Sequence, residues 1–362
     1  MIGLALSGGG SRAMAFHLGC LRALHDLGLL RRVRVMSTIS GGSVIGAYFA
    51  YTPHLSFEQF DEAVCALLGS GLQTRIAIEV LRPSRILHSA AAIVALAFLH
   101  KSNQDGDTGY KWSRTDALHT VLQRQLFGQL RMSAPRRSDM DIVIGACELR
   151  RGTAFRFGNT RAGDWRHGEL ITWDVEVGFA AAASAAYPLL LPALDRVWRF
   201  RHKGTEQHHR VLLTDGGVYD NLGLQVLEPG RDSAFSLHTF QCDYLIACNA
   251  GQGQSPGVVI PTTLIPRLSR SFEIVHRRVQ DSAMARLHAL RATGALKGFV
   301  LPYLGQIDGS LPIPPRDLVP RAEVIDYPTD FAPMPAAWID RLSRRGEQLT
   351  RTLIEFYLPR IL

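Results

Sequence analysis

The chain has 362 residues, of which 46% are hydrophobic and 20% are charged, which excludes a disordered or low-complexity chain and leaves ample length for a large core. Lysine and arginine number 40 against 32 aspartates and glutamates, and this net charge of +8 favours a partner that carries negative charge. Only four of the basic residues are lysines; the arginine fork suits phosphate groups, and a bias of composition toward arginine is the alternative explanation.

The cysteines are five in number, and no two of them form a CxxC pair. Such a sparse and odd count argues against a disulfide framework or a zinc site and favours a reducing compartment. The first residues lack the basic region and the cleavage site of a signal peptide. We therefore expect a cytoplasmic protein that needs no metal and no other cofactor.

The first 51 residues predict a strand, a glycine loop, a helix, a second strand, a glycine turn and a second helix. The strands are the apolar runs MIGLALS and RVRVMSTIS, and the intervening helix has apolar residues at helical spacing before Gly28. This order is typical of a parallel sheet that helices cover on both faces.

Residues from about 56 to 130 read as mostly helical. Within them Ala90–Leu99 is an apolar stretch too short to span a bilayer, and it is either a core helix or an interfacial element. Further strands are predicted from residue 139, with a polar hairpin near residue 203 and a buried strand before Gly251. A long arginine-bearing helix, roughly Ile265–Arg291, a late strand and an amphipathic C-terminal helix complete the chain.

The segment Ser37–Ser43, STISGGS, places serines at the turn between the second strand and its helix. An exposed serine at such a turn has the geometry of a nucleophile elbow, which needs small neighbours such as Gly41 and Gly42. We favour Ser40 over Ser43, because a β-branched residue would crowd the turn after Ser43. The alternative is an ordinary helix start that is rich in serine and glycine.

A glycine loop follows the first strand directly. Its backbone N–H groups can approach an anion without obstruction by a Cβ, and its glycines are Gly8, Gly9 and Gly10. Such a loop serves as an oxyanion hole for acyl transfer or as the phosphate turn of a dinucleotide site. A dinucleotide site requires an acidic residue at the end of the second strand to bind the ribose. The segment Ser37–Ser40, which ends that strand here, contains none. The oxyanion hole is therefore the favoured function.

Asp215 ends a later strand and is followed by two glycines. A serine nucleophile needs a base within hydrogen-bond reach, and a carboxylate on an open turn suits that role. Asp-Gly-Gly is also a common structural turn, so the assignment depends on the other two motifs. Asp105-Gly-Asp resembles part of a calcium loop but lacks the remaining ligands, and no metal site is expected.

Together these blocks resemble the patatin-like phospholipases, whose relatives include the cytosolic phospholipase A2 catalytic domain. The blocks that carry the resemblance are SGGGSRA from Ser7, VMSTISGGSVIGA from Val35, ASAAYPLLLP from Ala183 and DGGVYDNLGL from Asp215. They occur in the family's order and cover roughly residues 1–250. Thr38 stands where many members of the family have glycine.

The resemblance implies an α/β fold of three layers, α/β/α, around a central and mostly parallel sheet. It implies a catalytic domain over residues 1–250 with a mainly helical insertion at about 56–130. Residues 251–362 would then form a mainly helical C-terminal extension that packs on the catalytic domain.

The resemblance also implies a Ser–Asp dyad, in which Ser40 is the nucleophile and Asp215 is the base, with no need for a histidine. The glycine loop would form the oxyanion hole. Arg12, directly after it, would either hold a lipid phosphate or order the loop, unless it is simply a solvated residue of the helix start.

The implied activity is acyl hydrolysis of a phospholipid or another lipid ester, of the phospholipase A or lysophospholipase type. The alternative is a non-catalytic patatin-like protein that binds lipid or protein, suggested by Thr38 and by the basic C-terminal half. With an ester-hydrolysing site, a phospholipid surface explains the positive charge better than nucleic acid does. We expect peripheral membrane binding through Ala90–Leu99 or through the arginine-bearing helices after residue 262.

Overall fold

The structure is a computed structural model, and it describes residues 1–82, 112–188, 190–253 and 262–362. The apolar stretch Ala90–Leu99 and the loop at Asp105 lie outside the described residues. The strands are β1 (Ile2–Leu6), β2 (Val33–Ile39), β3 (Asp141–Glu148), β4 (Thr153–Gly158), β5 (Ala162–Asp164), β6 (Gly168–Leu170), β7 (Leu194–His202), β8 (Thr205–Asp215), β9 (Tyr244–Cys248) and β10 (Gly298–Val300). The α-helices are α1 (Gly10–Asp26), α2 (Gly41–Tyr51), α3 (Phe57–Ser70), α4 (Gln73–Val80), α5 (Arg114–Leu122), α6 (Val177–Ser184), α7 (Gly217–Asp220), α8 (Leu264–Ala292) and α9 (Ala336–Tyr357).

One half of the sheet is parallel, with the strand order β10-β9-β1-β2-β3. The unbroken apolar run of β1 fits its central position, because a strand with helices on both faces has no polar side. Leu4 and Leu6 join the large core cluster that includes residues of α1, α2 and α9, whereas Ala5 joins a smaller cluster under α8. This half has the layered α/β arrangement that the strand and helix order predicts.

The other half of the sheet is antiparallel and closes on itself. From β3 the order runs β4-β5-β6-β7-β8, and β8 pairs again with β3, so that Ala146 lies opposite Asp215. The prediction of a mostly parallel sheet is wrong here, because parallel neighbours need a crossover of about a dozen residues or more. Only Lys203 and Gly204 separate β7 from β8, both at positive φ, as in a tight two-residue hairpin turn.

Helices α3, α4 and α5 lie in the described parts of the region from 56 to 130, and the assignment of that region as an insertion stays a prediction. Among the described residues, none of the helices taken alone has the length and apolar character to cross a bilayer; α3 and α4, bent by 61° relative to each other, meet that test jointly. The division of the chain at residue 250 stays a prediction. The later part supplies β10 to the sheet and α9, which crosses α1 so closely that a Cβ on Gly346 would overlap the carbonyl of Phe16.

Candidate active site

Ser40 lies at the turn from β2 into α2 and opens into a large cavity. Its backbone has φ 52° and ψ −121°, a region that residues other than glycine seldom occupy. Gly41 and Gly42 permit this turn, because a Cβ on Gly41 would overlap the carbonyl of Gly10 and one on Gly42 that of Leu6. The turn therefore has the strained strand-to-helix geometry of a nucleophile elbow.

Ser43, the other candidate nucleophile, is fully buried and does not line the cavity. Its Oγ lies 2.8 Å from Oγ of Ser184. Because Ser184 donates its hydroxyl to the carbonyl of Gly145 at 2.6 Å, Ser43 is the donor between the two serines. The geometry favours Ser40, which is 7% exposed, and gives Ser43 a structural role.

Ser184, at the end of α6, connects the serine turn with the aspartate turn. Its Oγ accepts a hydrogen bond from the backbone N–H of Ser40 at 2.8 Å, and its carbonyl accepts one from Gly216 at 3.1 Å. Two residues on, the carbonyl of Ala186 accepts the backbone N–H of Asp215 at 3.0 Å. The ASAAYP segment, for which the sequence suggested no role, thus fixes both turns.

Asp215 ends β8 with its carboxylate next to Ser40. Its Oδ1 accepts the N–H of Gly217 at 2.7 Å, and the hydroxyl of Ser40 lies near enough to the same carboxylate to lower its pKa. Burial raises the pKa of Asp215 to about 6, against the lowering effect of the Gly217 N–H and the Ser40 hydroxyl. At neutral pH the group is an ionised base whose pKa lies close to the working range of general bases.

The glycine loop between β1 and α1 borders the same cavity. Gly9 and Gly10 have φ values of 142° and 60°, which favour glycine, and their N–H groups have no acceptor among the described residues. The N–H of Gly8 instead donates to the carbonyl of Asn221 at 3.1 Å. Contrary to the prediction for Gly8, its amide is not free to stabilise an oxyanion, and Gly9 and Gly10 remain the candidates.

Arg12 is buried and binds backbone carbonyls, so it is not a solvated residue. Its Nε donates to Ala250 at 3.1 Å and its Nη1 to Tyr327 at 2.9 Å. Burial lowers its pKa to about 10, and Asp330, whose carbonyl also accepts the N–H of Ser11 at 2.8 Å, opposes that effect. Of the two functional alternatives, these contacts favour ordering of the loop.

Thr38, the departure from the family pattern, is accommodated by Gly46 of α2. Thr38 is fully buried, and a Cβ on Gly46 would lie only 2.6 Å from its methyl group, so the glycine leaves the space that the threonine fills. The Oγ1 of Thr38 has no hydrogen-bond partner in the described part of the chain. The packing of Thr38 against Gly46 is thus compatible with the positive φ of Ser40, two residues further along the chain.

The cavity that contains Ser40 and Asp215 has a volume of about 1980 Å³. Small-molecule pockets measure about 300–1000 Å³, so this one admits a larger substrate. Apolar side chains form much of its wall, among them Ile76, Val80, Leu81, Leu190, Leu191, Phe272, Ile307, Ile325 and Phe331.

His276 of α8 also lines the cavity, a position that no motif in the sequence indicates. Its ring lies near the backbone of Gly217, which follows Asp215 by two residues, and its Nδ1 lies 3.2 Å from Nε2 of Gln280. Phe272 stacks on the ring with centroids 5.8 Å apart, and burial lowers the pKa of His276. Helix α8 therefore packs against α7, which directly follows the Asp215 turn.

The fold also brings together three possible metal ligands that are distant in sequence. Donor atoms of His17, Cys20 and Cys248 lie within 4.8 Å of one another, and all three side chains are buried. Nε2 of His17 lies 2.9 Å from the carbonyl of Ser7, to which it can donate. None of the three residues lines the cavity.

The family profile described as Patatin-like phospholipase matches residues 4–227. A comparison with curated proteins finds no match. The structure of human GIVD cytosolic phospholipase A2 is similar, with a TM-score of 0.56 and 14% identity over 97% of this chain and 61% of that chain. Its complex with methyl gamma-linolenyl fluorophosphonate has a TM-score of 0.51 and 15% identity over 97% and 57%. The chain therefore spans about three fifths of the length of the human protein, and the likeness shows the fold.

Proposed function

Since the chain belongs to the patatin-like phospholipase family, we propose that it is a lipid acyl hydrolase that cleaves carboxylic esters through Ser40 and Asp215. The placement of Ser40, held at its strained turn, beside the buried carboxylate of Asp215 in one cavity carries this proposal. The large and partly apolar cavity supports a substrate with a long acyl chain, of the phospholipase A or lysophospholipase type.

In the proposed reaction Asp215 accepts the proton of Ser40 as Oγ attacks the acyl carbonyl. The N–H groups of Gly9 and Gly10 would stabilise the negative charge that develops on the carbonyl oxygen. The N-terminus of α2, directly after Ser40, adds a favourable dipole. The tetrahedral intermediate then expels the alcohol, which takes the proton from Asp215, and leaves an acyl-enzyme.

In the second half of the reaction Asp215 takes a proton from water. The resulting hydroxide attacks the ester carbonyl of the acylated Ser40, the fatty acid leaves, and the proton returns to the serine oxygen. A pKa of about 6 serves both directions of transfer, because the group is ionised at neutral pH and still basic enough to accept a proton.

A fluorophosphonate probe tests the assignment of the nucleophile. We expect covalent labelling at Ser40 in the wild type and in the Ser43→Ala variant, and none in Ser40→Ala, because Ser40, unlike Ser43, lines the cavity that contains Asp215. Hydrolysis of lysophospholipid, followed by mass spectrometry of the released fatty acid, should vanish in Ser40→Ala. Labelling of Ser43, or hydrolysis that survives in Ser40→Ala, would contradict the proposal.

Substrates of this class reside in membranes, so the proposal includes peripheral attachment to a membrane surface from the cytoplasmic compartment. The positive net charge supports an anionic surface.

A further inference from the structure

Three side chains that can bind a metal converge in the core at the end of β1. His17 and Cys20 lie three residues apart on α1 and so share one face of that helix, and Cys248 ends β9, the neighbour of β1 in the sheet. Their exposed fractions are 0%, 0% and 1%, and their donor atoms lie within 4.8 Å of one another. The expectation of a chain without metal rests on spacing in the sequence, and it does not extend to ligands that only the fold brings together.

The imidazole of His17 is arranged as in a metal-binding histidine. Its Nε2 lies 2.9 Å from the carbonyl oxygen of Ser7, which can only accept, so in the neutral ring Nε2 carries the hydrogen and Nδ1 carries the lone pair. Nδ1 is buried and has no hydrogen-bond partner among the described residues. Histidines that bind metals usually donate the other ring N–H to a carbonyl or a carboxylate in this way. A buried acceptor without a partner costs free energy, so the free lone pair of Nδ1 indicates a ligand.

Thr350 of α9 brings a further donor atom to the two thiols and the imidazole. Burial raises the pKa of the Cys20 thiol, whereas the other two members of the cluster and Thr350 lie near enough to lower it. The hydroxyl of Thr350 is fully buried and donates to the carbonyl of Gly346 at 2.7 Å, so the lone pairs of its oxygen remain available. Two sulfur atoms, one ring nitrogen and one hydroxyl oxygen thus come together from α1, β9 and α9.

The spacing of the three donor atoms is close to that of a tetrahedral zinc site. With Zn–S bonds of about 2.3 Å and Zn–N bonds of about 2.0 Å, neighbouring ligand atoms in a tetrahedron lie about 3.5–3.8 Å apart. Since the donor atoms of His17, Cys20 and Cys248 all lie within 4.8 Å of one another, they would have to approach by about 1 Å. Small rotations of the side chains supply such a movement without a change of the backbone.

The charges of the donors select the ion. Both thiols belong to the large apolar core cluster, where a net charge is costly. Deprotonated Cys20 and Cys248 carry two negative charges and the imidazole carries none, so a divalent cation leaves the site neutral. Cu⁺ also favours thiolates but would leave one negative charge in the core, and Mg²⁺ and Ca²⁺ prefer oxygen ligands. Zn²⁺ therefore fits both the donor atoms and their charge.

Ser7 connects this cluster with the glycine loop. Its N–H donates to the carbonyl of Cys248 at 3.1 Å, its Oγ accepts the N–H of Ala250 at 2.9 Å, and its carbonyl lies 2.9 Å from Nε2 of His17. Ser7 directly precedes Gly8, the first residue of the loop. An ion bound by the cluster would therefore join α1 and β9 at the residue from which the glycine loop starts.

We propose that His17, Cys20 and Cys248 bind a structural Zn²⁺ ion. The hydroxyl of Thr350 is the candidate for the fourth position of the tetrahedron. Binding would release the thiol protons to solvent as two Zn–S bonds and one Zn–N bond form. The site is separate from the proposed hydrolysis, since none of these residues lines the cavity that contains Ser40.

The test is metal titration of the full chain, freed of metal by a chelator under reducing conditions. Zn²⁺ is titrated in competition with a chromogenic chelator, and Co²⁺ is titrated separately, because its thiolate charge-transfer band and its visible bands report the ligands and the geometry. Cys20→Ala and Cys248→Ala each remove one thiolate and leave a small apolar side chain in the core. Cys147→Ala and Cys242→Ala are the matched controls, because both cysteines are buried but lie outside the cluster. The cobalt spectrum of the wild type shows thiolate ligands by itself, so the test does not depend on the folding of a variant.

We expect one Zn²⁺ per chain and a cobalt spectrum with tetrahedral bands and the charge-transfer intensity of two thiolates. Cys20→Ala and Cys248→Ala should bind Zn²⁺ at least about 100-fold more weakly, because even the loss of a partner outside the ligand set costs up to that much. Each of them should also lose about half of the charge-transfer intensity, while the two controls keep both properties. Zn²⁺ should raise the midpoint of thermal unfolding of the wild type and of the controls, but not of the two ligand variants.

A cobalt spectrum without thiolate bands, or equal losses of affinity in ligand and control variants, would overturn the proposal. Copper in place of zinc in the protein as isolated from cells would overturn the choice of ion. A disulfide between Cys20 and Cys248, trapped by alkylation before the cells are opened, would overturn the proposal in favour of a redox pair. None of these measurements uses ester hydrolysis, so the zinc site and the proposed function are decided separately.

Discussion

Replacement of Asp215 by asparagine should stabilise the protein at neutral pH while it removes the activity. The carboxylate is 4% exposed, and burial moves its pKa from 3.8 to about 6. At 1.36 kcal/mol for each pH unit, this difference corresponds to about 3 kcal/mol by which the ionised group destabilises the fold. Asparagine keeps the shape, and its oxygen can still accept the N–H of Gly217 while its amide donates to Ser40.

The raised pKa of Asp215 determines how the stabilisation by Asp215→Asn depends on pH. A carboxyl whose pKa is higher in the folded state favours folding when it is protonated, and that contribution is lost as the pH rises from 3.8 through about 6. The free energy of unfolding of Asp215→Asn should therefore exceed that of the wild type by at most about 3 kcal/mol near pH 8 and by about half as much near pH 5. Urea unfolding at the two pH values, followed by circular dichroism, measures this difference in the free energy of unfolding.

Asp220→Asn is the matched control, since Asp220 lies on the same turn and accepts the N–H of Gln225 at 2.8 Å outside the dyad. The rate of ester hydrolysis by Asp215→Asn should fall about 10²- to 10⁴-fold, the usual effect of the loss of a general base. A difference in unfolding free energy between Asp215→Asn and the wild type that does not change with pH would refute the reasoning about the buried charge. Activity near that of the wild type would show that another group is the base.

Three further outcomes follow from the site. For a soluble ester, kcat/KM should fall about tenfold per pH unit below about 6, and an inflection near 4 would instead mean that Asp215 is not desolvated. Ser184→Ala removes the acceptor of the Ser40 N–H, so kcat should fall about 5- to 150-fold with KM nearly constant, whereas a kcat within about twofold of the wild type would deny it a positioning role. Gly46→Ala should lower stability by about 1–3 kcal/mol, with partial recovery when Thr38→Ser is added; thermal unfolding unaffected by Gly46→Ala would mean that the threonine is not confined.

The sequence located the motifs better than their detailed contacts. Ser40 and Asp215 can be proposed from the sequence because a strand-to-helix serine turn and an Asp-Gly-Gly turn are local patterns, and each lies at the end of a strand. The amide of Gly8 could not be assigned correctly, because its acceptor, Asn221, comes from a distant turn. Ser184 was visible only as part of a family segment, since its partners are backbone groups that no side-chain pattern reveals.

The closed strand ring is a second feature that local sequence patterns do not predict. The first 51 residues predicted a parallel sheet correctly, and the error lay in extending that rule beyond β3. The short turns after β3 and the hairpin at Lys203 already favoured antiparallel pairs. That β8 returns to β3 depends on side-chain packing inside the ring, where Phe155, Phe157 and Phe200 are fully or almost fully buried, and periodicity along one strand does not encode such closure.

Strand β3 pairs with β2 on one edge and with β8 on the other, so its register sets the distance between Ser40 and Asp215. Ile39, just before Ser40, is in register with Gly145, and Asp215 is in register with the next residue, Ala146. A slip of one residue on either edge would displace one member of the dyad by about 3.3 Å, more than a hydrogen bond tolerates. The relative position of Ser40 and Asp215 is therefore a property of backbone pairing in the sheet, and amide exchange in β3 reports on that geometry although neither residue belongs to β3.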